Sequence, residues 1–312
     1  MIAPAQIEKI IQSLNLDGKV GQVSPMTGGI SAEMTLVELL LPAGTTKWII
    51  RQPSKETLME RPRVVCMEYE LLKLLRNKAL PVPLPVFIDE TGKFFNTPTL
   101  VLEYLSGSIS FAIPAQPQRV DRMAQMLAAI HNIEISQLDS AEVPPLEISL
   151  QGCFGEETVT MDEVLNEEAL LTTLTHHLQK LKNDPSVLLH GDYWTGNLLW
   201  RNDDLTGIID WEDAWMGPAL YDLAITRIDL AYTFGKNAAR QFTETYLTAR
   251  KVNCANLPIW DLVAALQLIR FINHNLQGWS RFYSPYGRQD LTAEVIAGRI
   301  NQFTEDAVSQ LS

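Results

Sequence analysis

Strand-like and helix-like patterns are distributed unequally along this chain, and this asymmetry restricts the fold most. Up to about residue 105, short β-prone runs alternate with Gly and Pro turns, as in GKVGQVSPMTGGISAEMTLVELLLPAGTTKWIIRQP. From Pro218 onward, almost every segment carries apolar residues at helical spacing. The sequence therefore predicts an α+β protein with a small, mainly antiparallel sheet followed by a large, mainly helical region.

The first region should contain a few strands and two helices. The opening 20 residues have the spacing of an amphipathic helix, and VVCMEYELLKLLRN predicts a second one over about Arg63–Asn77. We expect strands near Val20–Val23, over Thr35–Leu41, over Lys47–Arg51, and on either side of a turn at Asp89–Lys93.

The second region begins after a short link near Ser106–Ser110. PQRVDRMAQMLAAIHNIEIS predicts a strong amphipathic helix, residues 139–160 have a loop composition, and a further helix is expected from about Met161 to Lys182. A chain of 312 residues exceeds the size at which single cores stop growing. We therefore expect two domains, 1–105 and 106–312, with a ligand-binding cleft between them.

Composition excludes some partners. The formal net charge of −12 would repel nucleic acid and anionic membranes, so neither is expected as a partner. Together with Glu212 and Asp213, this charge favours a cationic or neutral ligand. The three cysteines are widely separated, and no apolar window is long enough to span a membrane. We expect a reducing compartment and a cytoplasmic protein.

The stretch LLHGDYWTGNLLW, residues 188–200, places polar residues between two apolar runs. Asp192 is followed five residues later by Asn197, and Asp210 closes the next apolar run. LLWRNDDLTGIID between them predicts a hairpin, with strands Leu198–Arg201 and Leu205–Ile209 and a turn at Asn202–Asp204. A hairpin returns the chain to its start, so Asn197 and Asp210 are expected to lie side by side.

These residue types suit phosphoryl transfer. That reaction needs a positioned acceptor hydroxyl and metal ions held on the phosphates. A loop carboxylate such as Asp192 can accept the hydroxyl proton, and the oxygens of Asn197 and Asp210 are hard ligands of the kind that Mg²⁺ prefers.

The motifs HGDYWTGNLLW, GIIDWEDAWMGPALYDLA and LAAIHNI occur here in the order typical of one family. The chain resembles the aminoglycoside phosphotransferase family (choline-kinase-like), a branch of the protein-kinase-like superfamily, over roughly residues 20–280. The Asp-x₄-Asn spacing is a known feature of kinase catalytic loops. The resemblance implies a bilobal protein-kinase-like fold, with a nucleotide-binding N-lobe (1–105) and a C-lobe (106–312) that carries the catalytic loop and the acceptor site.

The resemblance also implies an activity. The chain is expected to be a small-molecule kinase that transfers the γ-phosphate of Mg-ATP or Mg-GTP to a hydroxyl of a sugar, aminocyclitol or amino alcohol. Asp192 falls on the catalytic aspartate, and Asn197 and Asp210 fall on the Mg²⁺ ligands. Asp222 falls on an acid that supports the catalytic loop, although an acid at the start of a helix is an equally good interpretation.

In the first region the resemblance assigns the nucleotide contacts. SPMTGGIS occupies the position of the phosphate-covering loop, so Gly28, Gly29 and Ser31 are candidates, although a plain hairpin turn has the same composition. Arg51 stands where kinases have a phosphate-binding lysine, with Lys47 as the alternative on the same face of the strand. The remaining candidates are Glu68 as the partner of Arg51, with Glu70 as its alternative, and Glu103, Tyr104 and Leu105 beside the nucleotide base.

Other polar and aromatic residues near the motifs receive weaker assignments. His131 is interpreted as a helix-end residue, and His190 as a hydrogen-bonding support for the loop. Trp194 is a candidate for lining the acceptor site, as in the W-x-G-N variant of ketosamine kinases. Two alternatives stay open: a nucleotide-binding pseudokinase and a phosphohydrolase with Asp192 as nucleophile. The helical region should supply further acceptor contacts from among Asp229, Asp261, Asn273 and His274.

Overall fold

A computed structural model describes residues 2–26, 31–112, 117–134, 136, 141–146, 160–181 and 184–311. Its contacts divide the chain into two compact units. The first unit comprises Met1–Gly107 together with two short later segments, Ser136–Val143 and Thr206–Glu212. The second unit comprises Ser108–Ile135, Pro144–Leu205 and Asp213–Ser312.

The first unit is built on a five-stranded antiparallel sheet whose strand order is β1-β2-β3-β5-β4. The central strand, β3, pairs with β2 and β5, so Arg51 lies opposite Met34 on one side and Leu100 on the other. The elements are α1 (Pro4–Ser13), β1 (Lys19–Met26), β2 (Ala32–Leu41), β3 (Gly44–Pro53), α2 (Lys55–Glu60), α3 (Val64–Asn77), β4 (Pro85–Asp89) and β5 (Thr99–Glu103).

One face of this sheet is closed by the amphipathic first helix. Ile7, Ile10 and Ile11 of α1 are buried in one cluster with Val37 of β2 and Ile50 of β3. Burying five such side chains removes enough apolar area to hold the helix on the sheet, because each contributes about 1.5–3 kcal/mol. The five strands and the two helices expected in this region are confirmed.

Sequence patterns missed the short helix α2. Its start is fixed by Ser54, whose hydroxyl accepts a hydrogen bond from the backbone N–H of Thr57 at 3.0 Å. This N-cap satisfies one of the unpaired donors at the helix start. Six residues are too few to give a clear helical period, so only the cap could have indicated it.

The second unit is mainly helical and includes the short strands that carry the central motif. Helix α6 is buried on nearly every side, which explains its apolar sequence ALYDLAITRIDLAYTF. The elements are α4 (Pro117–His131), α5 (Glu167–His177), β6 (Ser186–Leu189), β7 (Leu198–Arg201), β8 (Asp204–Ile208), β9 (Trp215–Pro218), α6 (Ala219–Phe234), α7 (Lys236–Ala249), α8 (Leu257–Ile272), α9 (Leu276–Phe282) and α10 (Ala293–Ser309).

Two small sheets frame the central motif. The predicted hairpin is present as a two-stranded sheet of β7 and β8, and the division between the units falls within β8. A second pair, β6 with β9, was not predicted, because WMGP in β9 has no strand-like alternation. Ser186 and Leu189 of β6 lie opposite Pro218 and Trp215, so β9 fixes the strand that leads into the motif.

The predicted helix over Met161–Lys182 is shorter in the structure. It spans Glu167–His177 and continues as a 3₁₀ turn over Leu178–Leu181. Most of the loop expected over residues 139–160 lies outside the described residues. Within the described part of the chain, no helix combines the length and apolarity that crossing a membrane would need.

Candidate active site

The catalytic-loop motif begins where β6 ends. Gly191 has φ +85°, and a Cβ at this position would lie 1.7 Å from the carbonyl oxygen of Asp213. Only glycine combines that backbone conformation with such close packing. His190 before it is buried, and its Nδ1 lies 3.3 Å from the backbone N–H of Asp192. The turn that holds Asp192 therefore requires glycine at position 191.

A buried carboxylate holds this turn from behind. Asp222, at the start of α6, accepts hydrogen bonds from the backbone N–H groups of His190 at 2.7 Å and Gly191 at 2.9 Å. His131 Nε2 lies 3.1 Å from the same carboxylate, and His131 Nδ1 lies 2.7 Å from the hydroxyl of Tyr246. The loop-supporting position of Asp222 is therefore an observed feature, and its side chain is fully buried.

His131 is the last residue of α4, as predicted from the sequence, and its side chain has a further structural role. Its imidazole is buried and links two elements, α6 through Asp222 and α7 through Tyr246. The apolar residues around His131 could have indicated this link, since a histidine at a buried helical position needs hydrogen-bond partners.

A second buried acid fixes the middle of the loop. Asp229 accepts hydrogen bonds from the backbone N–H of Thr195 at 3.0 Å and from its hydroxyl at 2.5 Å. Burial raises the pKa of the Asp229 carboxyl, although the hydrogen bonds from Thr195 oppose this effect. Asp261 is likewise engaged, in two 2.9 Å contacts with Arg227. Both acids are therefore buried and hydrogen-bonded within the second unit, and which residues contact the acceptor stays a prediction.

Asn197 faces Asp192 directly. Its side-chain nitrogen donates to the backbone oxygen of Asp192 at 3.0 Å and to the Asp192 carboxylate at 2.8 Å. This orientation leaves the amide oxygen of Asn197 outside these two hydrogen bonds. The structure thus brings together Asp192 and Asn197, the two motif residues that lie within the second unit.

Arg51 is the centre of a buried ionic network in the first unit. Its guanidinium donates to Glu68 at 2.8 Å and also to Glu212, and it lies 3.5 Å from the Asp210 carboxylate. Lys47 pairs with Glu38 and is 40% exposed, whereas the Arg51 side chain is 4% exposed. Of the two alternatives on β3, the structure therefore places Arg51, and not Lys47, in the network.

On α3, the residue that pairs with Arg51 is Glu68. Glu70 instead contacts Lys73, one turn further along the same helix. Burial raises the pKa of the Glu68 carboxyl to about 7, because the nearby Arg51 charge offsets only part of the cost of removing the carboxylate from water. Burial by itself would lower the pKa of Arg51, yet the surrounding carboxylates, Glu68 first, raise it.

Glu212 also belongs to the Arg51 network, although its sequence context does not indicate this. Besides Arg51, its carboxylate accepts a hydrogen bond from the hydroxyl of Ser31, and its backbone oxygen accepts one from Arg61 at 2.6 Å. Burial alone would raise the pKa of Glu212, but the Arg51 charge and these hydrogen bonds lower it. The charge of Glu212, which together with Asp213 suggested a cationic or neutral ligand, is thus engaged within the first unit.

Asp210 has a backbone conformation that is rare for its type. Its φ is 66°, in the left-handed region, and its side chain is 41% exposed. Such conformations in non-glycine residues cost free energy and cluster at functional sites. Among the described residues there is no group of three His, Cys, Asp or Glu side chains that could hold a metal ion. Mg²⁺ does not require one, because it binds through one or two protein groups together with phosphates and water.

The segment expected beside the nucleotide base is partly engaged in the sheet. The backbone N–H of Glu103 donates to Leu84 at 2.8 Å, and that of Tyr104 donates to Lys47 at 3.1 Å. The backbone N–H groups of Glu103 and Tyr104 are therefore used within the first unit, and a nucleotide contact at this segment stays a prediction. Gly28 and Gly29 lie outside the described residues, while Ser31 is held by Glu212 and by Ser54.

The family comparison matches most of the chain. A family model described as "Phosphotransferase enzyme family" matches residues 23–289. The chain belongs to this family. Its members include the aminoglycoside phosphotransferases that the sequence motifs resemble, and the family resemblance predicted from those motifs is confirmed.

The curated relatives are distant and diverse. Acyl-CoA dehydrogenase family member 10 of Mus musculus is 25% identical over 193 residues, which cover 56% of this chain and 18% of that protein. Homoserine kinase of Rhodopseudomonas palustris (strain TIE-1) is 25% identical over 228 residues, covering 67% of each protein. The chain spans only 18% to 34% of the length of the acyl-CoA dehydrogenase relatives of the animals.

Solved structures share the fold. A GDP and kanamycin complex of APH(2")-IIia superposes with a TM-score of 0.65 at 20% identity, covering 96% of this chain and 98% of that one. Macrolide 2'-phosphotransferase type I gives a TM-score of 0.63 at 18% identity, covering 95% and 96%. The α+β fold of the protein-kinase-like superfamily, with an antiparallel sheet and a mainly helical remainder, is confirmed.

Proposed function

We propose that this protein is a small-molecule kinase that transfers the γ-phosphate of a Mg-nucleotide, ATP or GTP, to an alcohol group. The observation that carries the proposal is the catalytic loop of the second unit. Asp192 and Asn197 are hydrogen-bonded to each other at 2.8 Å on a loop that the buried acids Asp222 and Asp229 hold by its backbone. Family membership and the names of the relatives support the same reaction class.

In the proposed reaction, Asp192 acts on the acceptor hydroxyl. The acceptor oxygen forms a bond to the γ-phosphorus, and the bond from that phosphorus to the β–γ bridging oxygen breaks. The hydroxyl proton passes to the Asp192 carboxylate and then to solvent, which leaves a phosphate monoester and a nucleoside diphosphate. The hydrogen bond from Asn197 keeps the Asp192 carboxylate in a fixed orientation before the acceptor arrives.

The amide oxygen of Asn197 and the carboxylate of Asp210 are the proposed Mg²⁺ ligands. Both are hard oxygen donors, and the Asp210 carboxylate is 41% exposed and so accessible to a metal ion. When bound, Mg²⁺ supplies neutralisation of the charge that develops on the phosphate oxygens.

Arg51 is proposed to contact the nucleotide phosphates. Its guanidinium is fixed by Glu68 and Glu212, so little conformational freedom is lost when a phosphate binds. The closing end of the phosphate-covering loop, Ser31, is bonded to the same Glu212 carboxylate. Gly28, Gly29 and Leu105 remain proposed nucleotide contacts.

The pseudokinase alternative is disfavoured because Asp192, Asn197 and Asp210 are all present. The phosphohydrolase alternative requires Asp192 to attack phosphorus, whereas Asn197 holds its carboxylate as the base of a kinase loop would be held. The names of the relatives and structural neighbours mention homoserine, kanamycin and macrolides, which are chemically diverse. The acceptor proposed for this protein is therefore a hydroxyl-bearing small molecule.

The deciding experiment measures transfer of labelled γ-phosphate from ATP and from GTP to an alcohol panel, with Mg²⁺ or with EDTA. We expect Mg²⁺-dependent formation of a phosphate monoester, and Asp210→Ala should weaken Mg²⁺-dependent nucleotide binding. Nucleotide binding by Asp210→Ala that equals the wild type with and without Mg²⁺ would refute the metal assignment. A labelled aspartate trapped after acid quench, without any acceptor, would instead favour the phosphohydrolase.

A further inference from the structure

Three aromatic side chains form a continuous surface in the second unit, which we call the aromatic wall: Trp194, Trp279 and Phe282. Trp279 and Phe282 are stacked, with ring centroids 5.4 Å apart and an interplanar angle of 8°. Trp194 lies 6.3 Å from Trp279 and 6.1 Å from Phe282. These separations are within the range of direct aromatic contact.

The aromatic wall differs from an ordinary core cluster in its exposure. Phe282 is 37% exposed, and Trp194 and Trp279 are half-buried, whereas Phe111 and Tyr283 behind them are fully buried. Two more exposed aromatics, Phe271 and Tyr286, contact its edges. Clustered aromatic side chains that remain open to solvent mark binding surfaces in soluble proteins.

The aromatic wall is joined to the catalytic loop. Trp194 is two residues after Asp192, and the adjoining Thr195 is anchored on Asp229. The Trp194 ring packs on Gly196, where a Cβ would lie only 2.2 Å from it. The loop that carries Asp192 thus also carries one member of the aromatic wall, Trp194.

The segment that carries two of the three wall residues, Trp279 and Phe282, has no acidic side chain. Residues 276–288, LQGWSRFYSPYGR, contain two arginines and no acid. Arg288 is neutralised by Asp290 at 2.9 Å, and Arg281 remains exposed beside Phe282. Glu212, one of the acids that suggested a cationic acceptor, is engaged by Arg51 in the first unit. This segment therefore offers no carboxylate to pair with an ammonium group.

We propose that the aromatic wall is the acceptor subsite of the catalytic loop, and that it takes acceptors whose hydroxyl is carried on a neutral apolar segment, either an alkyl chain or a hydrocarbon ring. The proposal rests on the proposed kinase function and narrows its substrate class. Ring faces gain free energy from apolar area removed from water, roughly 25 cal/mol per Å², without requiring hydrogen-bond partners. Polyols would leave their hydroxyl groups unpaired against the rings.

The first test is independent of catalysis. Saturation-transfer NMR is recorded with Mg-ADP and two matched probes, 5-phenyl-1-pentanol and (5-hydroxypentyl)trimethylammonium. The phenyl alcohol should give transfer to its apolar protons, and Phe282→Leu and Trp279→Leu should reduce the signal at least about threefold. Phe94→Leu, which removes a half-buried aromatic ring from the first unit, is the matched control and should leave the signal unchanged. Equal or stronger transfer to the ammonium probe, or no effect of the wall variants, overturns the proposal.

The second test uses turnover. Across a panel of neutral alkyl and aryl alcohols, their ammonium analogues and sugars, the wild type should phosphorylate neutral apolar members with the highest kcat/KM. Phe282→Leu should raise the acceptor KM about tenfold and leave the nucleotide KM unchanged. If sugars are phosphorylated with a KM that the wall variants do not alter, the proposed acceptor subsite is contradicted and the proposed kinase activity is supported. If the phenyl alcohol binds at the wall but phosphate is transferred to no panel member, the proposed kinase activity is contradicted and the apolar binding site is supported.

Discussion

The two parts of the candidate site are held in place by different interactions. In the first unit, one guanidinium, Arg51, is surrounded by the carboxylates of Glu68, Glu212 and Asp210, so side-chain charge sets the geometry. In the second unit, Asp222 and Asp229 accept hydrogen bonds mainly from backbone N–H groups of the catalytic loop. The first arrangement positions a side chain, whereas the second positions a stretch of backbone.

The two parts should therefore respond differently to protonation and to substitution. A network of one cation and several acids responds to any change in charge, including protonation, because burial makes an unpaired charge costly. A backbone held by buried acceptors responds to loss of an acceptor, because the donor is left unsatisfied away from water. Perturbations of the first unit should therefore alter nucleotide binding and pH dependence, and those of the second should alter turnover and folding.

The largest effect is expected from Asp192→Asn. The amide keeps an oxygen that can accept the hydrogen bond from Asn197, so the loop should stay intact while the base is lost. We expect kcat to fall about 10²–10⁴-fold, with nucleotide affinity close to the wild type. Single-turnover transfer and nucleotide titration measure the two quantities separately.

Asp203→Asn, the same change in the exposed hairpin turn, is the matched control and should keep full activity. Near-normal transfer by Asp192→Asn would contradict the catalytic assignment. Loss of nucleotide binding in that variant would instead identify Asp192 as a metal ligand or a structural residue.

Asp222→Ala tests the backbone scaffold. It removes the acceptor of two loop N–H groups and of His131, so the free energy of unfolding should fall by about 2–5 kcal/mol and kcat by at least about tenfold. Tyr246→Phe removes only the far end of the same chain of contacts and should cost about 0.5–1.5 kcal/mol. Urea denaturation and steady-state kinetics check both values. If both variants lose stability equally, Asp222 does not have the central position assigned to it.

The sequence predicted the regular parts of the structure well for identifiable reasons. Antiparallel strands such as Thr35–Leu41 and the amphipathic helix at PQRVDRMAQMLAAIH follow from local periodicity, whereas the catalytic assignment of the loop with Asp192 and Asn197 came from the family resemblance and stays a prediction. In contrast, β9 and its pairing with β6 depend on a partner strand 26 or more residues away. No local pattern encodes that contact.

The candidate site shows the same division. Arg51 and Glu68 were indicated by the family resemblance, and their ion pair is an observed contact. The partners of Glu212 were not predicted, because its neighbours in sequence, Trp211 and Asp213, give no indication that it reaches Ser31, 181 residues earlier. The partners of His131 were not predicted for a similar reason, since they lie 91 and 115 residues away. Long-range ion pairs and hydrogen bonds need the fold before they can be identified.

A comparison of Arg51→Met with Lys47→Met tests which residue of β3 contacts the nucleotide phosphates. Loss of the buried guanidinium should raise the nucleotide KM about 10–100-fold, since hydrogen bonds to charged groups contribute about 1.5–3 kcal/mol. Lys47→Met removes only a partly exposed pair with Glu38 and should change the KM less than about twofold. Nucleotide-dependent initial rates give both constants. The reverse ranking would show that the phosphate contact lies at the other end of β3.

The smallest effect concerns the protonation of Glu68. Its carboxyl pKa is raised from 4.5 to about 7 in the folded protein, mainly by burial, so between these values the folded state binds more protons than the unfolded state. Stability contributed by this group is therefore lost as pH rises from about 4.5 to 7. One pKa unit corresponds to about 1.4 kcal/mol, which sets an upper limit of about 3 kcal/mol, and relaxation around the charged form should reduce the loss to the order of 1 kcal/mol. Glu68→Gln cannot ionise and should lack this loss, so urea denaturation in EDTA at pH 5, 6, 7 and 8 should show the wild type losing stability relative to the variant. Glu70→Gln, the same change at a partly exposed position on α3, is the matched control. If the wild-type and Glu68→Gln curves stay parallel from pH 5 to 8, Glu68 is not the group that titrates in the Arg51 network.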